Sequence, residues 1–196
     1  MTGRPRSVSD AAIFDAVAEV VTAVGPSGLT LGAVAQHVGL SAPALTQRFG
    51  SKRGLLVAFA SREVGSVGDL FKATRSTEPG PLETIRATIA ALPGPVTTRE
   101  GLANNLAFLE MDLTDAELRS HAVSQSRTLR AEIAALLHEA IENGEIITES
   151  AEALAQDLYA TYCGAMLTWA IDGTGELSSW LAEHIDRVLD PHRNRP

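Results

Sequence analysis

The sequence is poor in cysteine and in the signals of export and membrane insertion. Its 196 residues include one cysteine, Cys163, which excludes an internal disulfide framework and a structural zinc site made of cysteines. The uncharged stretch from Leu158 to Ile171 is too short and too mixed for a membrane span, which needs roughly 20 apolar residues. The chain starts with MTGRPRSVSD, which has two arginines but no apolar segment after them, unlike a signal peptide. We therefore expect a cytoplasmic protein without a membrane partner.

Signals of catalysis are also scarce. No glycine-rich phosphate loop and no Gly-x-Ser-x-Gly nucleophile motif occurs in the sequence. Cys163 shares a predicted helix with Tyr159 and Met166, which is typical of a small core residue rather than a nucleophile. His121 and His138 have no second histidine at the spacing of metal ligands, so we expect them to be polar groups of the surface or of a pocket. We therefore expect no enzyme, no cofactor and no metal.

Charge is unevenly distributed along the chain. The protein is 45% hydrophobic and 20% charged, as ordinary soluble globular proteins are, and its net charge is −8. Residues 1–62 nevertheless hold six positive and three negative side chains, whereas the rest of the chain carries a net charge of −11. A polyanion would be attracted to the first segment and repelled by the second. This favours a nucleic-acid contact near the N-terminus, with chance clustering of solvated charges as the alternative.

Helical periodicity dominates the sequence, and no segment alternates convincingly as a strand would. Capping residues followed by apolar positions at helical spacing predict about nine helices, most of them ended by glycine or proline. The predicted helices begin near Ser9, Thr30, Ser41, Ser51, Leu82, Thr98, Asp115, Ser150 and Glu176. We expect an all-α fold with a three-helix domain at 1–50 and a larger helical domain at 51–196. A fourth helix from 51 would link the two.

The most informative segment is LTLGAVAQHVGLSAPALTQRFGSKRGLL, from Leu29 to Leu56. Ala35, Gly39 and Leu45 have the spacing of a helix-turn-helix: a small residue where two helices touch, a glycine that turns the chain, and a core anchor. A preceding amphipathic helix, a basic arm and a serine cap accompany this spacing. In such a motif the second helix presents its N-terminal residues to the major groove of DNA.

Residues 8–62 resemble the TetR-type transcriptional regulators. The family's turn glycine, short recognition helix, aromatic and helix-opening lysine are matched by Gly39, Leu40, Ser41, Leu45, Phe49, Ser51, Lys52, Leu55 and Leu56. The resemblance implies a homodimer joined by the last two helices of each chain, and a ligand cavity in each C-terminal domain. It further implies a regulator, more often a repressor, that a small molecule releases from a palindromic operator. The sequence departs from the family at Thr46, where tyrosine is usual, and at Gly32, which can read no base.

Candidate DNA contacts lie in the arm before the first helix, at helix caps and on the second helix of the motif. Arg4 and Arg6 would reach phosphates or the minor groove, with a solvated basic terminus as the alternative. Gln47 can pair with adenine in a bidentate manner, whereas basic side chains near it suit phosphates. The full candidate set is Arg4, Arg6, Thr30, Ser41, Ala42, Pro43, Ala44, Thr46, Gln47, Arg48 and Lys52.

Two further sets of candidates lie in the C-terminal part. Side chains of two predicted helices would line an effector cavity or pack the core: Asn104, Asn105, Phe108, Met111, Tyr162, Met166 and Trp169. The last two helices have more apolar residues than one protomer needs to bury, and we predict a dimer interface formed by Leu154, Leu158, Trp180, Leu181, Ile185 and Val188. The small residues Ala155, Ala160 and Gly164 would allow close approach of helices.

Two other functions remain open at this point. A helical enzyme or cofactor carrier with an incidental helix-turn-helix would need an acid–base or metal constellation, which the sequence lacks. An architectural DNA binder would not need the long acidic and apolar segment that follows the DNA-binding motif. We therefore predict a homodimeric regulator that binds operator DNA and an unknown small-molecule effector.

Overall fold

The computed structural model describes residues 8–194, and within that range the chain forms nine α-helices, which confirms the all-α prediction. In chain order they are α1 (Asp10–Gly28), α2 (Leu31–His37), α3 (Ala42–Phe49), α4 (Lys52–Arg75), α5 (Pro81–Ala91), α6 (Arg99–Thr114), α7 (Ala116–Glu142), α8 (Ala151–Asp172) and α9 (Leu177–Leu189). A 3-10 turn, Asp190–His192, follows α9. Ile146 and Arg193 form an isolated antiparallel bridge that ties the chain end to the turn after α7. Arg4 and Arg6 lie outside the described residues.

Side-chain caps explain where most helices begin. A hydroxyl or carboxylate accepts a hydrogen bond from a backbone N–H in the first turn, which satisfies a donor that the helix itself leaves without a partner. The caps of this kind are Ser9, Thr30, Ser41, Ser51, Thr98, Asp115 and Ser150. Gly39 and Gly50 follow α2 and α3 with φ of 68° and 78°, a backbone region that suits glycine. The sequence predicted each of these boundaries.

Helices α1 and α4 are longer than their sequences suggest, because each continues past glycine residues that often end a helix. The α1 span includes a kink at Gly25, where φ is 70°, followed by Pro26. By length and composition alone, α1 is long and apolar enough to span a membrane. However, its residues Ile13, Val17 and Val20 lie in a buried core cluster. The linking helix α4 continues through Gly65 and Gly68 to Arg75, so that it reaches well into the C-terminal bundle.

Three clusters of buried side chains organise the packing. One joins α1, α2 and α3 to the first turns of α4, and we call residues 8–56, which include those turns, the head. A second cluster joins α4, α5, α7, α8 and α9, and a third lies among α6, α8 and α9. Helix α6 packs along α1, and α4 packs along α7, so the head rests directly on the C-terminal bundle.

Candidate nucleic-acid interface and ligand cavity

Helix α3 is anchored by one side and exposed on the other. Leu45 is fully buried in the head, and the Phe49 ring lies 5.9 Å from the ring of Phe14. The opposite face exposes Pro43 and Gln47 to solvent. This is the arrangement that a recognition helix needs, because its core side is fixed while its outer side chains can reach base edges.

The predicted hydroxyl contacts have structural roles in the head. Thr30 Oγ1 accepts from Ala33 N at 3.1 Å, and Ser41 Oγ accepts from Ala44 N at 3.4 Å, so both are helix caps. The Thr46 hydroxyl donates to the Ala42 carbonyl at 3.0 Å. All three hydroxyl-bearing residues are nevertheless exposed, which leaves acceptor positions accessible from solvent.

The two predicted phosphate-binding cations contact other groups of the head. Arg48 forms an ion pair with Asp10 at 2.7 Å and donates to the Val8 carbonyl at 2.8 Å. Lys52 donates to the Ser27 carbonyl at 3.0 Å. These contacts tie the ends of α1 to the α3–α4 turn, and they place both charges at the same end of the head as α3.

Arg53 was not among the predicted site residues, although it has the most extensive ion pairing in the head region. Its guanidinium donates to both carboxylate oxygens of Asp115, at 2.7 and 2.9 Å, and to Glu117 at 2.9 Å. The Arg53 hydrogen bonds hold the pKa of Asp115 at about 2, well below its usual range. The contact joins the first turn of α4 to the turn between α6 and α7.

A cavity of about 350 Å³ lies where the head meets the bundle. It is bounded by α1, α4, α6, α7, α8 and the turn at 93–95. Of the predicted lining residues, Asn105, Phe108 and Tyr162 do line it. The volume is within the range of small-molecule sites.

The other predicted cavity residues lie elsewhere. Asn104 Nδ2 donates to the Thr22 carbonyl of α1, and Met111 packs on the core of the head. Met166 and Trp169 belong to the cluster among α6, α8 and α9. None of these four lines the cavity, because helical periodicity identifies an inward face but not which neighbour that face meets.

The sequence analysis allowed His121 as a pocket residue but missed the two carboxylates of the cavity. Glu63 on α4, Asp112 on α6 and His121 on α7 all line it, together with Phe59. A signal was present, since Glu63 lies four residues after Phe59 and Asp112 four residues after Phe108. A carboxylate that lies on the same face of a helix as apolar residues is a candidate for a partly buried functional group.

Both carboxyls are held in an environment that disfavours their charge. Burial raises the pKa of Asp112 to about 6. Burial also raises the pKa of Glu63, although Arg62 at 3.8 Å and a hydrogen bond from Ser66 oppose the shift. The cavity therefore combines aromatic rings with carboxylates that a bound cation would stabilise.

Two asparagines fasten α6 to the head beside this cavity. Asn105 Nδ2 donates to Thr22 Oγ1 at 3.0 Å and to the Gly101 carbonyl at 2.9 Å, and Asn104 donates to the Thr22 carbonyl at 3.0 Å. The kink of α1 follows at Gly25, where an added Cβ would lie 3.1 Å from Asn104 Oδ1. The pair of asparagines thus fixes where α6 lies on α1.

The predicted dimer interface needs correction. Four of its residues are at most 3% exposed within one protomer: Leu154, Leu158, Leu181 and Ile185. They pack against neighbouring helices of the same chain and cannot supply exposed apolar surface. Trp180 and Val188 are half-buried, and Trp180 Nε1 donates to the Ala165 carbonyl. Ala155 is buried as well, whereas Ala160 and Gly164 are exposed.

Two family models match the chain, each over one of its parts. Residues 13–59 match the bacterial regulatory proteins of the tetR family. Residues 81–190, more than half of the chain, match the C-terminal domain of BetI-type transcriptional repressors. The first match covers most of the head and the start of α4, and the second runs from α5 to the end of α9.

Individual relatives agree with these matches. The HTH-type transcriptional regulator BetI of Paraburkholderia phytofirmans is 28% identical over 173 residues, which cover 86% of this chain and 85% of the relative. A transcriptional regulator from Saccharomonospora viridis, solved in complex with choline, superimposes with a TM-score of 0.77 at 17% identity, covering 95% of this chain and 98% of that one. A TetR-family regulator from Agrobacterium tumefaciens gives a TM-score of 0.73 at 20% identity, over 94% and 97% of the two chains. The chain therefore belongs to the TetR family, with a C-terminal domain of the BetI type, and is a ligand-responsive, DNA-binding transcriptional regulator of the repressor kind, not an enzyme.

Proposed function

We propose that the protein acts in the cytoplasm as a homodimer that binds a roughly palindromic operator, with one α3 in each of two major grooves about 34 Å apart. The exposed face of α3, opposite its buried anchor Leu45, is the observation that carries this proposal. Residues 1–50 form the DNA-binding domain, and residues 51–196 bind the effector and dimerise. Helix α4 belongs to the second domain and links it to the first.

The contacts with DNA divide into base-reading and phosphate-binding groups. Gln47 hydrogen-bonds a base, and Ala42, Pro43 and Ala44 contact thymine methyl groups. The phosphates are bound by the arm (Arg4 and Arg6), by exposed hydroxyl groups (Thr30, Ser41 and Thr46) and by the cations of the head (Arg48 and Lys52). This division follows the general rule that phosphate contacts position a protein and base contacts give it specificity.

Arg48 and Lys52 exchange partners when DNA binds. The Arg48–Asp10 pair is largely exposed, and exposed ion pairs contribute little to stability. Phosphates can therefore replace Asp10 and the Ser27 carbonyl at small cost. Binding should weaken steeply as salt rises, because each phosphate contact releases counterions.

The test of DNA recognition is selection of bound duplexes from a random pool at low salt. We expect enrichment of a motif with two-fold symmetry, and its affinity should fall with a steep salt slope. A pool that shows no enrichment after several rounds would refute operator binding by this head.

The dimer face that we propose is an exposed stripe on α8, in place of the buried residues predicted from sequence. Exposed residues recur there with alternating steps of four and three: Ala153, Asp157, Ala160, Gly164, Leu167 and Ile171. Leu167 and Ile171 are 48% and 76% exposed, although both are large and apolar. An added Cβ at Gly164 would meet nothing within 4 Å in the protomer, so packing within the chain does not require glycine there. A partner helix in close contact would account for both observations.

Light scattering of point variants tests this face. Leu167→Glu and Ile171→Glu should give monomers at micromolar concentration and lose operator binding. The matched control is Ile147→Glu, because Ile147 is 70% exposed but lies outside α8. Dimers that survive both α8 substitutions would rule out the stripe.

The effector that we propose is a small organic cation. The cavity presents aromatic rings, whose faces attract cations, and two carboxyls whose charged forms are disfavoured by burial. The Saccharomonospora viridis relative, which was solved with choline, supports this class of ligand. An effector of this kind would bind one arrangement of α6 against α1 more tightly and so shift the population away from DNA binding.

Calorimetry with a matched pair of ligands tests the charge requirement. Choline and 3,3-dimethylbutan-1-ol have nearly the same shape, but only choline is charged. We expect measurable binding of choline and release of the operator, and no binding of the neutral alcohol. Equal binding of the two compounds would refute the cationic class.

A further inference from the structure

Helix α6 contacts the head at both ends of its cavity-lining segment. Near its start, Asn104 and Asn105 donate to Thr22 of α1. Just beyond its end, Asp115 accepts from Arg53 in the first turn of α4. The other residues of α6 that line the cavity, Phe108, Leu109 and Asp112, lie between these two points. A ligand that displaces α6 must therefore strain or shift one of them.

Asp115 makes hydrogen bonds to three parts of the protein: α6, α7 and the first turn of α4. Its backbone N–H donates to the Met111 carbonyl at 2.9 Å, which ties it to the last turn of α6. Its carboxylate accepts from the backbone N–H groups of Glu117 and Leu118, which caps α7. The same carboxylate receives the fork of the Arg53 guanidinium. Asp112, which lines the cavity, is one helical turn earlier, so movement of α6 at the cavity reaches Asp115 directly.

The geometry distinguishes this contact from ordinary surface ion pairs. An isolated exposed pair is weak because two long side chains must be ordered for one contact. Here the acceptor is already fixed by α7, and the planar guanidinium binds it in a bidentate manner, with Glu117 as a further acceptor. Arg53 directly follows Lys52, and the turn from α3 to α4 is only Gly50 and Ser51.

We propose that Arg53 is a positioning residue: its contact with Asp115 and Glu117 holds the head at a fixed orientation on the bundle and passes displacements of α6 to α3. This inference rests on the proposed effector response, but the contact itself can be tested without an effector. Loss of the contact lets the head rotate relative to the bundle, which lowers operator affinity because two heads must then be oriented on binding.

Spin labels measure the orientation of the head directly. The labels are placed at Gln36→Cys on α2 and Glu142→Cys at the end of α7, both exposed positions, in a Cys163→Ser background. Dimers are diluted with unlabelled chain so that distances within one protomer dominate. We expect a narrow distance distribution for this background protein without DNA or ligand, and a broader one for Arg53→Gln. The control Arg86→Gln removes the Arg86–Asp186 ion pair, which is of similar exposure but lies within the bundle, and should leave the distribution narrow.

Operator affinity separates a positioning role from a phosphate contact of Arg53. Asp115→Asn keeps a side chain that can cap α7 but loses the charge that binds Arg53. With a positioning role, this variant binds the operator roughly fivefold more weakly, at the low end of usual coupling effects. With a phosphate contact alone, it would bind more tightly, because an acid that competes for Arg53 and repels DNA has been removed.

The outcomes are decisive for each proposal separately. An unchanged distance distribution in Arg53→Gln, or tighter operator binding by Asp115→Asn, overturns the positioning role. The effector is probed with choline chloride: release of the operator by choline should require more ligand or fail in Arg53→Gln, while Arg86→Gln responds as the wild type does. If choline neither binds the wild-type protein nor releases it from the operator, the cationic effector is refuted. The distance distributions still decide the role of Arg53 in that case.

Discussion

The head and the cavity beneath it differ in how their charges are satisfied. In the head, Arg48 contacts Asp10 and Lys52 contacts the Ser27 carbonyl, so both cations already have partners in the protein. In the cavity, Glu63 and Asp112 are partly buried, and burial raises the pKa of each. The first arrangement suits exchange of weak internal partners for phosphates. The second suits a ligand that brings positive charge, because binding it relieves an unfavourable burial.

The largest expected effect is on the stability of the head. It tests whether the head and the C-terminal bundle beneath it unfold separately. Leu45→Ala removes a fully buried anchor and should destabilise the head by about 2–5 kcal/mol, by loss of burial and by the cavity left behind. Amide hydrogen exchange should show lost protection in α2 and α3, with α7 and α8 unaffected. The matched variant Leu137→Ala, in the bundle core, should lower protection in α7 and α8. Equal loss everywhere in Leu45→Ala would mean that head and bundle form one cooperative unit.

The second prediction removes the charges of the cavity. Glu63→Gln combined with Asp112→Asn should weaken choline binding about tenfold or more, since the cation loses both partners. Operator binding without ligand should stay within about twofold, because both residues line a cavity to which α3 contributes no residue. Glu142→Gln, an exposed carboxylate at the end of α7, serves as the control. Undiminished choline binding in the double variant would place the cation elsewhere.

The third prediction separates base reading from phosphate binding within the head. Gln47→Ala should cost about 1–3 kcal/mol on the preferred operator and relax the preference at one base position. Arg48→Ala and Lys52→Ala should weaken binding to all sequences and each reduce the salt slope by about 1. Titration of operator and scrambled duplexes at several salt concentrations measures both effects. Equal losses on both duplexes in Gln47→Ala would remove its base-reading role.

The smallest expected effect is a pH dependence that the cavity has and the head lacks. The pKa of Asp112 is about 6 in the folded protein, whereas the usual pKa of aspartate is near 4. Between these two pH values the folded protein keeps a proton on Asp112 that the unfolded chain has already released. The stability of wild type relative to Asp112→Asn should therefore rise as pH falls from 7 to 5, by about 2–4 °C in Tm. Choline affinity should fall over the same range, because protons compete with the cation.

The pKa of Asp115, which contacts the head through Arg53, is shifted in the opposite direction from that of Asp112. Its pKa is lowered to about 2, so its contribution to stability persists above its ordinary range and is lost only as the pH falls towards 2. Thermal melting of Asp115→Asn against wild type should show a difference that is constant from pH 5 to 8. A difference that changes within that window would contradict the pairing with Arg53.

The head could be predicted from the sequence because its signals are local. Ser41 and Ser51 cap helices within four residues of themselves, and Gly39 and Gly50 adopt the turn conformations that only glycine readily accepts. Leu45 follows the turn at a fixed spacing and is buried as expected. Each feature depends on residues within one turn of the chain, so the sequence contains the necessary information.

The cavity and the dimer face depend on which helix meets which. Periodicity identified inward positions such as Trp169 and Leu181, but these residues pack within the bundle. Glu63 and Asp112 face one cavity although they lie on different helices far apart in the chain. Only the packing of α6 on α1 brings these groups together, and no local pattern specifies that contact. For the same reason, apolar residues of α8 could not be divided between core and surface.

The small residues of α8 have a consequence for the DNA that the dimer can accept. If Ala160 and Gly164 lie where the two α8 helices cross, their side-chain size sets how closely the two protomers approach. The approach of the two α8 helices therefore also determines the distances between other parts of the two protomers, including the separation of the two α3 helices. Enlarging Gly164 to alanine or serine would therefore act at a distance on the half-site spacing that the dimer prefers. With that crossing, a glycine that contacts no DNA would help to set the operator length that the dimer recognises.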